Sequence, residues 1–233
     1  LVSEKDRHVI VLGADPINDA GTARTGTSDP MLIAFSDQEN ELDFEPTNAN
    51  TAGSLRLSEG SVIIGAVKAR QEILIWTDTS MFSMQFIGPP FTFGVSLINK
   101  GVGLIAPNAA ITGPNAVYWM GYDSFYSYNG SVAKIPCPVL TYVFETIAFT
   151  NNEFNEVGWF YCSSSSTEID RYVVYNYLEQ AWSYGNLSRT YWLDRGTKNY
   201  PRAVSNNYLY EHEFGYNDDG SPMTGVFIES SDF

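Results

Sequence analysis

A loose internal repeat constrains the fold of this chain more than any other feature of its sequence. It emerges when three stretches are aligned: "ILIWTDTSMFSM", "AVYWMGYDSFYSYNG" and "YVVYNYLEQAWSYGN". Each has an apolar strand, a turn with an acidic residue, and then an aromatic residue flanked by polar ones. The acidic residues are Asp78, Asp123 and Glu179, and the aromatic residues are Phe82, Phe125 and Trp182. The aromatic residues lie 43 and 57 positions apart (82 to 125 and 125 to 182), and "YLYEHEFGYNDDG" is a looser fourth copy.

A period of roughly 40 to 50 residues, with three or four short strands per copy, is typical of β-propeller blades. A four-stranded blade cannot bury both of its faces alone, so aromatic residues on each blade must pack against the next one. The sequence therefore predicts an all-β, β-propeller-like fold of short antiparallel meander blades with few or no helices. We expect residues 1–233 to form a single domain of this type, in which residues 1–30 fit the repeat least well.

Short apolar runs between polar turns predict the strands. These runs are His8 to Leu12, Met31 to Phe35, Ser61 to Val67, Ile73 to Trp76, Met81 to Ile87, Ala116 to Met120, Phe125 to Tyr128, Val157 to Cys162, Arg171 to Tyr175 and Tyr208 to His212. The nearest approach to a helix is Pro138 to Phe149, although its β-branched residues disfavour one.

Residues 61–87 should form one blade as a meander, with the inner strands of each blade lying before and after the acidic turn. The segment Gly88-Pro89-Pro90 should then lead the chain out of that blade, because proline cannot donate a hydrogen bond to a sheet. Such rigid links between blades would suit a ring under pressure.

The charge of the chain limits its partners. Its formal net charge is −14 and its pI is about 4.4, so its surface repels phosphate backbones and anionic membranes. Sequence-specific nucleic-acid binding is therefore not expected, whereas an acidic channel wall would keep passing DNA from sticking. The sequence has no apolar run near the roughly 18 residues of a membrane span and no signal-peptide layout, so we expect a soluble protein without a membrane anchor. Because it opens on Leu1 and ends without a clear stop, we expect a portion of a longer chain.

The titratable residues give little support for an enzyme. His8 and His212 are the only histidines, and His212 in "YEHEFG" lacks the HExxH spacing of a zinc site. A glycosidase needs two carboxylates that face each other. The candidates are Asp78, Asp123, Glu179, Glu211 and Glu213. The first three recur at equivalent turns, which favours a structural role in which Asp78 accepts hydrogen bonds from backbone N–H groups.

Other motifs also lack the features of a chemical site. Gly101 to Pro107 has no Lys or Ser/Thr to cradle a phosphate, and Asn217 to Gly220 lacks the alternating ligands of a calcium loop, so a hairpin turn is expected there. Cys137 and Cys162 could be two thiols or one disulfide. We therefore expect no catalytic, cofactor-binding or metal-binding residues and no cofactor.

Much of the chain from about Met31 onward resembles the sequences of one protein family. The matching stretches are Phe35 to Gly94, Val117 to Gly130, Ile135 to Phe144 and Tyr208 to Gly220. In these stretches the sequence resembles the tail hub or nozzle proteins of short-tailed bacteriophages (tail tubular B-like proteins of podoviruses). One departure is Phe44, where that family would have Trp, and this aromatic exchange should preserve packing.

The resemblance implies β-propeller-based subunits that assemble as a six-fold homo-oligomeric ring beneath the portal and adaptor. The ring would form the distal tube through which DNA leaves the particle. A structural, non-enzymatic role in the virion tail is implied, with assembly in the host cytoplasm and contacts to the tail adaptor and to other tail or fibre proteins. The family has no catalytic residues to carry over.

Two other functions compete with this one. The chain could be a glycan-binding or host-receptor-binding propeller module, in which exposed aromatic rings stack on sugars. Its candidate rings are Tyr122, Tyr126, Trp182 and Tyr184. A propeller glycoside hydrolase that uses the carboxylates named above is the third alternative.

Overall fold

All regular secondary structure in the described residues is β. The computed structural model describes residues 1–3, 6–16, 26–137, 144–205, 207–218 and 220–222. Within them, four successive stretches each form a four-stranded antiparallel meander, which we call sheets I to IV, and a three-stranded sheet V and a two-stranded hairpin follow. These successive meanders confirm the all-β, propeller-like fold predicted from the repeat.

The strands follow the order of the chain. Sheet I contains β1 (Val2–Ser3), β2 (His8–Leu12), β3 (Leu32–Phe35) and β4 (Gly53–Arg56). Sheet II contains β5 (Ile63–Lys68), β6 (Ile73–Thr77), β7 (Ser80–Gly88) and β8 (Thr92–Lys100). Sheet III contains β9 (Ala110–Thr112), β10 (Val117–Met120), β11 (Phe125–Tyr128) and β12 (Val132–Ile135).

The remaining sheets complete the described chain. Sheet IV contains β13 (Phe144–Asn151), β14 (Glu156–Cys162), β15 (Arg171–Asn176) and β16 (Ala181–Asn186). Sheet V contains β17 (Tyr191–Leu193), β18 (Arg202–Ser205) and β19 (Tyr208–Glu211). The final hairpin pairs β20 (Asn217–Asp218) with β21 (Ser221–Pro222), which confirms the turn expected at Asn217 to Gly220. Each apolar run named from the sequence lies largely within a strand.

The second strands of the middle sheets are buried on both faces. Every residue of β6 and β10 is buried, and so are Val157 to Tyr161 of β14. Alternate side chains of a strand point to opposite faces, so a strand buried throughout lies in a sheet that is covered on both sides. In an antiparallel sheet this differs from the usual pattern of one buried and one solvated face.

Aromatic rings fill the seams, our term for the interfaces between successive sheets. In seam II–III the rings of Trp76 and Trp119 lie 5.3 Å apart, and in seam III–IV those of Phe125 and Trp159 lie 4.5 Å apart. All four side chains are fully buried. Each ring removes a large apolar area from water and fixes how closely the two sheets approach.

Aromatic rings also pack in the two outer seams. In seam I–II, Phe35 packs edge to face on Phe93 with their ring centroids 5.0 Å apart. In seam IV–V, the rings of Phe149 and Trp192 lie 5.1 Å apart, and Trp192 Nε1 donates a hydrogen bond to the carbonyl of Thr150 at 2.8 Å.

The first strands of successive sheets lie side by side. β5 contacts β9, β9 contacts β13, and β13 contacts β17. Inner strands of neighbouring propeller blades have this relation around the central axis. The expectation that the inner strands flank the acidic turn is therefore wrong, because Asp78 and Asp123 each lie between the second and third strands of a sheet.

The third copy of the predicted repeat is offset by one strand from the first two copies. Phe82 and Phe125 both lie on third strands, whereas Trp182 lies on β16, the fourth strand of its sheet. It is half-buried, with its ring 4.9 Å from Phe125 and its Nε1 donating to the carbonyl of Pro136 at 2.8 Å. The sequence contained a better marker of the second strand in Trp76, Trp119 and Trp159, which lie 43 and 40 positions apart (76 to 119 and 119 to 159).

Two local expectations also need correction. Gly88-Pro89-Pro90 does not lead the chain out of its blade, because β8 returns antiparallel to β7 within the same sheet. Proline is tolerated there because the turn lies beyond the paired residues. Of the helix considered at 138–149, residues 138–143 lie outside the described residues and 144–149 belong to β13.

Part of the outer face of sheet I is covered by its own chain. Phe44, in the connection between β3 and β4, packs on Ala14, Leu32 and Ala34. The Phe found where the resembling family would have Trp thus serves the packing role expected of it.

Replacement of seam aromatics tests this packing. We expect Phe125→Ala to lower the free energy of unfolding by about 3–5 kcal/mol, because it empties a fully buried site. Trp182→Ala should cost about 2 kcal/mol, since part of that ring already faces water. Tyr184→Ala, at a 64% exposed position of the same strand, is the control and should change stability by less than about 0.5 kcal/mol. Urea unfolding measures all three, and a near-neutral Phe125→Ala would contradict the seam.

Candidate functional site

Asp78 holds two connections of sheet II together. Its Oδ1 accepts a hydrogen bond from the backbone N–H of Ser61 at 2.8 Å, and its Oδ2 accepts one from Ser61 Oγ at 2.6 Å. Two other carboxylates accept the same pair of hydrogen bonds. Asp37 accepts them from the backbone N–H and the hydroxyl of Thr51, and Asp170 accepts them from the backbone N–H and the hydroxyl of Ser163. The structural role predicted for Asp78 is confirmed, although its partner lies before β5 rather than in its own turn.

These hydrogen bonds keep the carboxylates ionised. The Ser61 hydroxyl, followed by the Ser61 N–H, lowers the pKa of Asp78 below its ordinary value. The hydroxyl of Ser163 lowers the pKa of Asp170 in the same way, and Thr51 lowers that of Asp37. A glycosidase acid needs a carboxyl whose pKa is raised, so these residues do not suit that role.

The other two turn carboxylates differ from Asp78 and from each other. Asp123 accepts hydrogen bonds from the Tyr126 hydroxyl at 2.6 Å and from Lys134 Nζ at 3.0 Å, and these two donors lower its pKa. Glu179 is exposed in the turn between the third and fourth strands, where its backbone N–H donates to Asn176 Oδ1. Asp78 and Asp123 therefore occupy equivalent turns but make different contacts, whereas Glu179 lies in a different turn of its sheet.

The histidines and Glu211 lie in separate structural settings. His8 is buried in seam I–II, with its Nδ1 2.7 Å from the carbonyl of Ser36. His212 Nε2 accepts a hydrogen bond from Arg189 Nε at 2.9 Å. Glu211 forms an ion pair with Arg202 at 2.6 Å across sheet V.

Glu213 meets a carboxylate that the sequence analysis missed. Asn151 Nδ2 donates to Glu213 Oε1 at 3.4 Å, and Asn151 is paired in register with Glu156. Burial, and then the charge of Glu213, raise the pKa of Glu156. The two glutamates come from sheet IV and from the end of sheet V, and no local motif links positions 156 and 213.

The four rings proposed for glycan stacking do not form one surface. Tyr122 and Tyr184 are 63% and 64% exposed, but they lie on sheets III and IV, and Tyr126 is buried. Burial and the neighbouring Asp123 raise the pKa of Tyr126 to about 12, so its hydroxyl is a neutral donor. Trp182 uses its ring in seam III–IV.

Metal ligands, cysteines and membrane-spanning helices are the remaining features that could indicate a function in the described part of the chain. Among these residues no group of three or more His, Cys, Asp or Glu side chains could hold a metal ion. Cys137 and Cys162 are half-buried thiols with no disulfide between them. The described residues also contain no helix of sufficient length and apolar character to cross a membrane.

Sheet V has an exposed face, which we call the open face, that carries four apolar side chains and the Arg202–Glu211 ion pair. In register, Tyr191 lies opposite Val204, and Val204 lies opposite Leu209, so these side chains share one face with Leu193. Leu209 is 62% exposed and Leu193 61%. The other face of the sheet, with Trp192 and Ala203, packs on sheet IV. Contiguous exposed apolar side chains of this kind mark interaction surfaces.

Comparisons with known proteins leave the family open. No protein-family model and no curated protein matches the sequence. Among solved structures, the chain is similar to Hsv2 of Kluyveromyces lactis, a yeast β-propeller, with a TM-score of 0.44 and 11% sequence identity. The similarity covers 84% of this chain and 60% of that chain, so the chain spans less than two thirds of its length. Similarity at this level carries no argument about activity or partners.

Removal of one Asp78 carboxylate oxygen tests its structural role. We expect Asp78→Asn to lower the free energy of unfolding at neutral pH by about 1 kcal/mol, because the amide can accept only one of the two bonds from Ser61 and the site is partly exposed. The pKa of Asp78 is lowered on folding, so its contribution is complete above the ordinary value of 3.8 and is lost as the pH falls through the lowered one.

The two chains should therefore converge in stability under strongly acidic conditions. Thermal unfolding over a pH series measures this, with Glu41→Gln, in an exposed connection, as the charge-matched control. A constant difference at all pH values would show that the carboxylate charge has no part in the effect.

Proposed function

We propose that this chain is a structural subunit of the tail hub or nozzle of a short-tailed bacteriophage. In this role, copies of the subunit form a six-fold ring that contacts the tail adaptor and other tail or fibre proteins and conducts DNA out of the virion. The observation that carries the proposal is the open face of sheet V. Among the described residues it follows four seams, each of which is closed by aromatic packing.

The cost of exposing this face favours an assembly protein. Tyr191, Leu193, Val204 and Leu209 present apolar atoms to water across three adjacent strands. Burial of such atoms against another protein gains roughly 25 cal/mol for each Å² removed from water. A subunit that acts only in an assembly has its exposed apolar surface covered by its neighbours.

The use of the carboxylates supports a non-catalytic role. Asp78 is committed to a Ser of another connection, Asp37 and Asp170 are committed to a Thr or Ser of their own connection, and Asp123 is committed to Tyr126 and Lys134. These bonds stabilise the connections between strands. A hydrolase needs two uncommitted carboxylates that face each other across an open cleft, and none of these four residues fills that role.

We place the DNA path in the ring of subunits rather than along the axis of one propeller. Among the side chains described on β5, β9, β13 and β17, Lys68 is the one charged group. The side chains described on these strands therefore do not form the acidic wall expected from the net charge. Carboxylates occur instead in connections such as residues 37–45, which contain Asp37, Glu39, Glu41, Asp43 and Glu45.

Cryo-electron microscopy of the source particle, with quantitative mass spectrometry of its proteins, tests the proposal. A ring at the tail tip that contains this chain, at about six copies per particle, is the expected result for a six-fold assembly. Absence from the particle would overturn it. Binding of host polysaccharide by a free monomer would then favour the glycan-binding alternative, and turnover lost on Asp or Glu substitution would favour a hydrolase.

Charged substitutions on the open face should prevent assembly without unfolding the subunit. Leu193→Asp with Leu209→Asp places two carboxylates where a neighbour would bury apolar side chains, and unpaired buried charges are costly. Because both residues are exposed in the subunit, its melting temperature should change little. Copies incorporated per particle provide the measurement, and Tyr122→Asp, at a 63% exposed site on sheet III, is the matched control. Normal incorporation of the double variant would contradict the role of this face.

Weak DNA binding is expected of a conduit with this charge. At physiological salt, the dissociation constant for a short DNA duplex should be no tighter than the non-specific range of roughly 10⁻⁴–10⁻⁶ M. Fluorescence anisotropy over a salt series checks this. A sub-micromolar constant would be incompatible with a wall along which DNA slides.

A further inference from the structure

A second exposed apolar surface lies at the turn of the hairpin that joins β7 to β8. β7 pairs with β8 as far as Gly88 and Thr92, whereas its pairing with β6 ends at Met84. The hairpin therefore extends beyond the rest of sheet II. We call residues 86–91 at its end, with the sequence "FIGPPF", the apolar tip.

The apolar tip presents its side chains to water. Its exposed members are Phe86, Ile87, Pro89, Pro90 and Phe91, and Phe91 is 71% exposed. Exposed apolar side chains that lie side by side mark a surface that binds another molecule. The tip therefore needs a partner for the same reason as the open face of sheet V.

The base of the tip is held in place before any partner binds. The ring of Phe86 lies 5.6 Å from the ring of Phe93, which is buried. Thr92 Oγ1 donates a hydrogen bond to the carbonyl of Thr51, in sheet I, at 3.1 Å. A surface ordered in this way loses little conformational freedom when a partner covers it, which favours binding.

Both apolar surfaces lack net charge, although the chain is strongly acidic. Residues 79–99 contain no charged side chain, whereas the net charge of the chain is −14. On the open face, the charges of Arg202 and Glu211 cancel in an ion pair, and the other strand positions are apolar. Two copies of the chain repel each other through their acidic surfaces. The tip and the open face are therefore places where a second copy can approach without that repulsion.

The open face also has a recess into which the tip can project. β19 pairs only with β18 among the described strands, and a hollow of about 540 Å³ lies along it. The residues that line the hollow are Arg202, Leu209, Tyr210, Glu211, Phe214 and Asn217. Its volume lies within the range of pockets that bind whole small molecules, so an aromatic ring such as that of Phe91 fits within it.

We propose that the apolar tip of one copy of the chain binds the open face of sheet V of a second copy. The two surfaces differ, so the contact is heterologous, and each bound pair still has one free tip and one free open face. Such a contact closes into a ring when its rotation allows. The inference rests on the proposed function, because it names the neighbour that covers the open face.

Self-association of the full 233-residue chain, measured by sedimentation velocity, tests the contact. One double variant alters the tip, Ile87→Asp with Phe91→Asp, and another alters the open face, Leu193→Asp with Leu209→Asp. The unsubstituted chain should associate as its concentration rises. Each double variant should associate at least about 100-fold more weakly, because its contact would bury unpaired charges.

An equimolar mixture of the two double variants distinguishes this contact from other kinds of association. Each mixed pair contains one intact tip and one intact open face, so the mixture should form a complex of two copies that grows no further. A mixture that stays monomeric would overturn the proposal. So would a tip variant that associates as the unsubstituted chain does, or an unsubstituted chain that stays monomeric at the highest concentration.

A matched control separates the contact from general repulsion. Leu42→Asp with Leu178→Asp adds the same two charges at exposed leucines of sheets I and IV, and it should associate as the unsubstituted chain does. An equal loss in this control would overturn the proposal. Melting temperatures show that each variant is folded, and Phe91→Asp alone replaces the tip variant if Ile87→Asp lowers its melting temperature.

Flotation with phosphatidylcholine vesicles tests lipid as a different occupant of the tip. The chain should not float with the vesicles, and flotation that the tip variant abolishes would overturn the proposal by assigning the tip to a lipid surface.

Particles separate this inference from the proposed function. Absence of the chain from the particle would overturn the function, whereas the contact measured in solution would stand. Normal incorporation of the tip variant into a ring of the particle would overturn the contact and leave the function intact.

Discussion

The structure depends on the need of each small sheet to cover two apolar faces. No four-stranded meander can do so alone, and the answer here is a row of sheets in which each seam is filled by aromatic rings. Trp76, Trp119 and Trp159 lie on second strands and are fully buried, so removal of any one exposes two sheets at once. The stability of a sheet therefore depends on the sheets on either side of it.

This dependence makes the two ends of the row unequal. The outer face of sheet I is covered in part by Phe44, which lies in the acidic connection of residues 37–45, and it leaves Val2 and Val11 exposed. Sheet V has no such cover within the described residues, and Tyr191, Val204 and Leu209 face outward. Exposed apolar side chains of this kind mark an interaction surface.

Local sequence patterns predicted the positions of the strands well. They predicted less well which strands correspond to one another in successive sheets. Apolar runs such as Ile73 to Trp76 stand out because both faces of the strand are buried, whereas the edge strand β16 alternates too weakly to be seen. Trp182 follows an acidic turn in the sequence, as Phe82 and Phe125 do, but a turn does not reveal which pair of strands it joins. Nor could the sequence show that Glu156 and Glu213 meet, since only the packing of sheet V on sheet IV brings them together.

The same packing explains how so acidic a chain remains folded. In the outer connections, carboxylates such as Asp78 and Asp170 face serine hydroxyl and backbone N–H donors, which stabilise charge while water screens the rest. In seam IV–V, aromatic packing forces Glu156 and Glu213 together, and Asn151 is a neutral donor that leaves the charge in place. Apolar burial and electrostatic repulsion thus oppose each other at one seam.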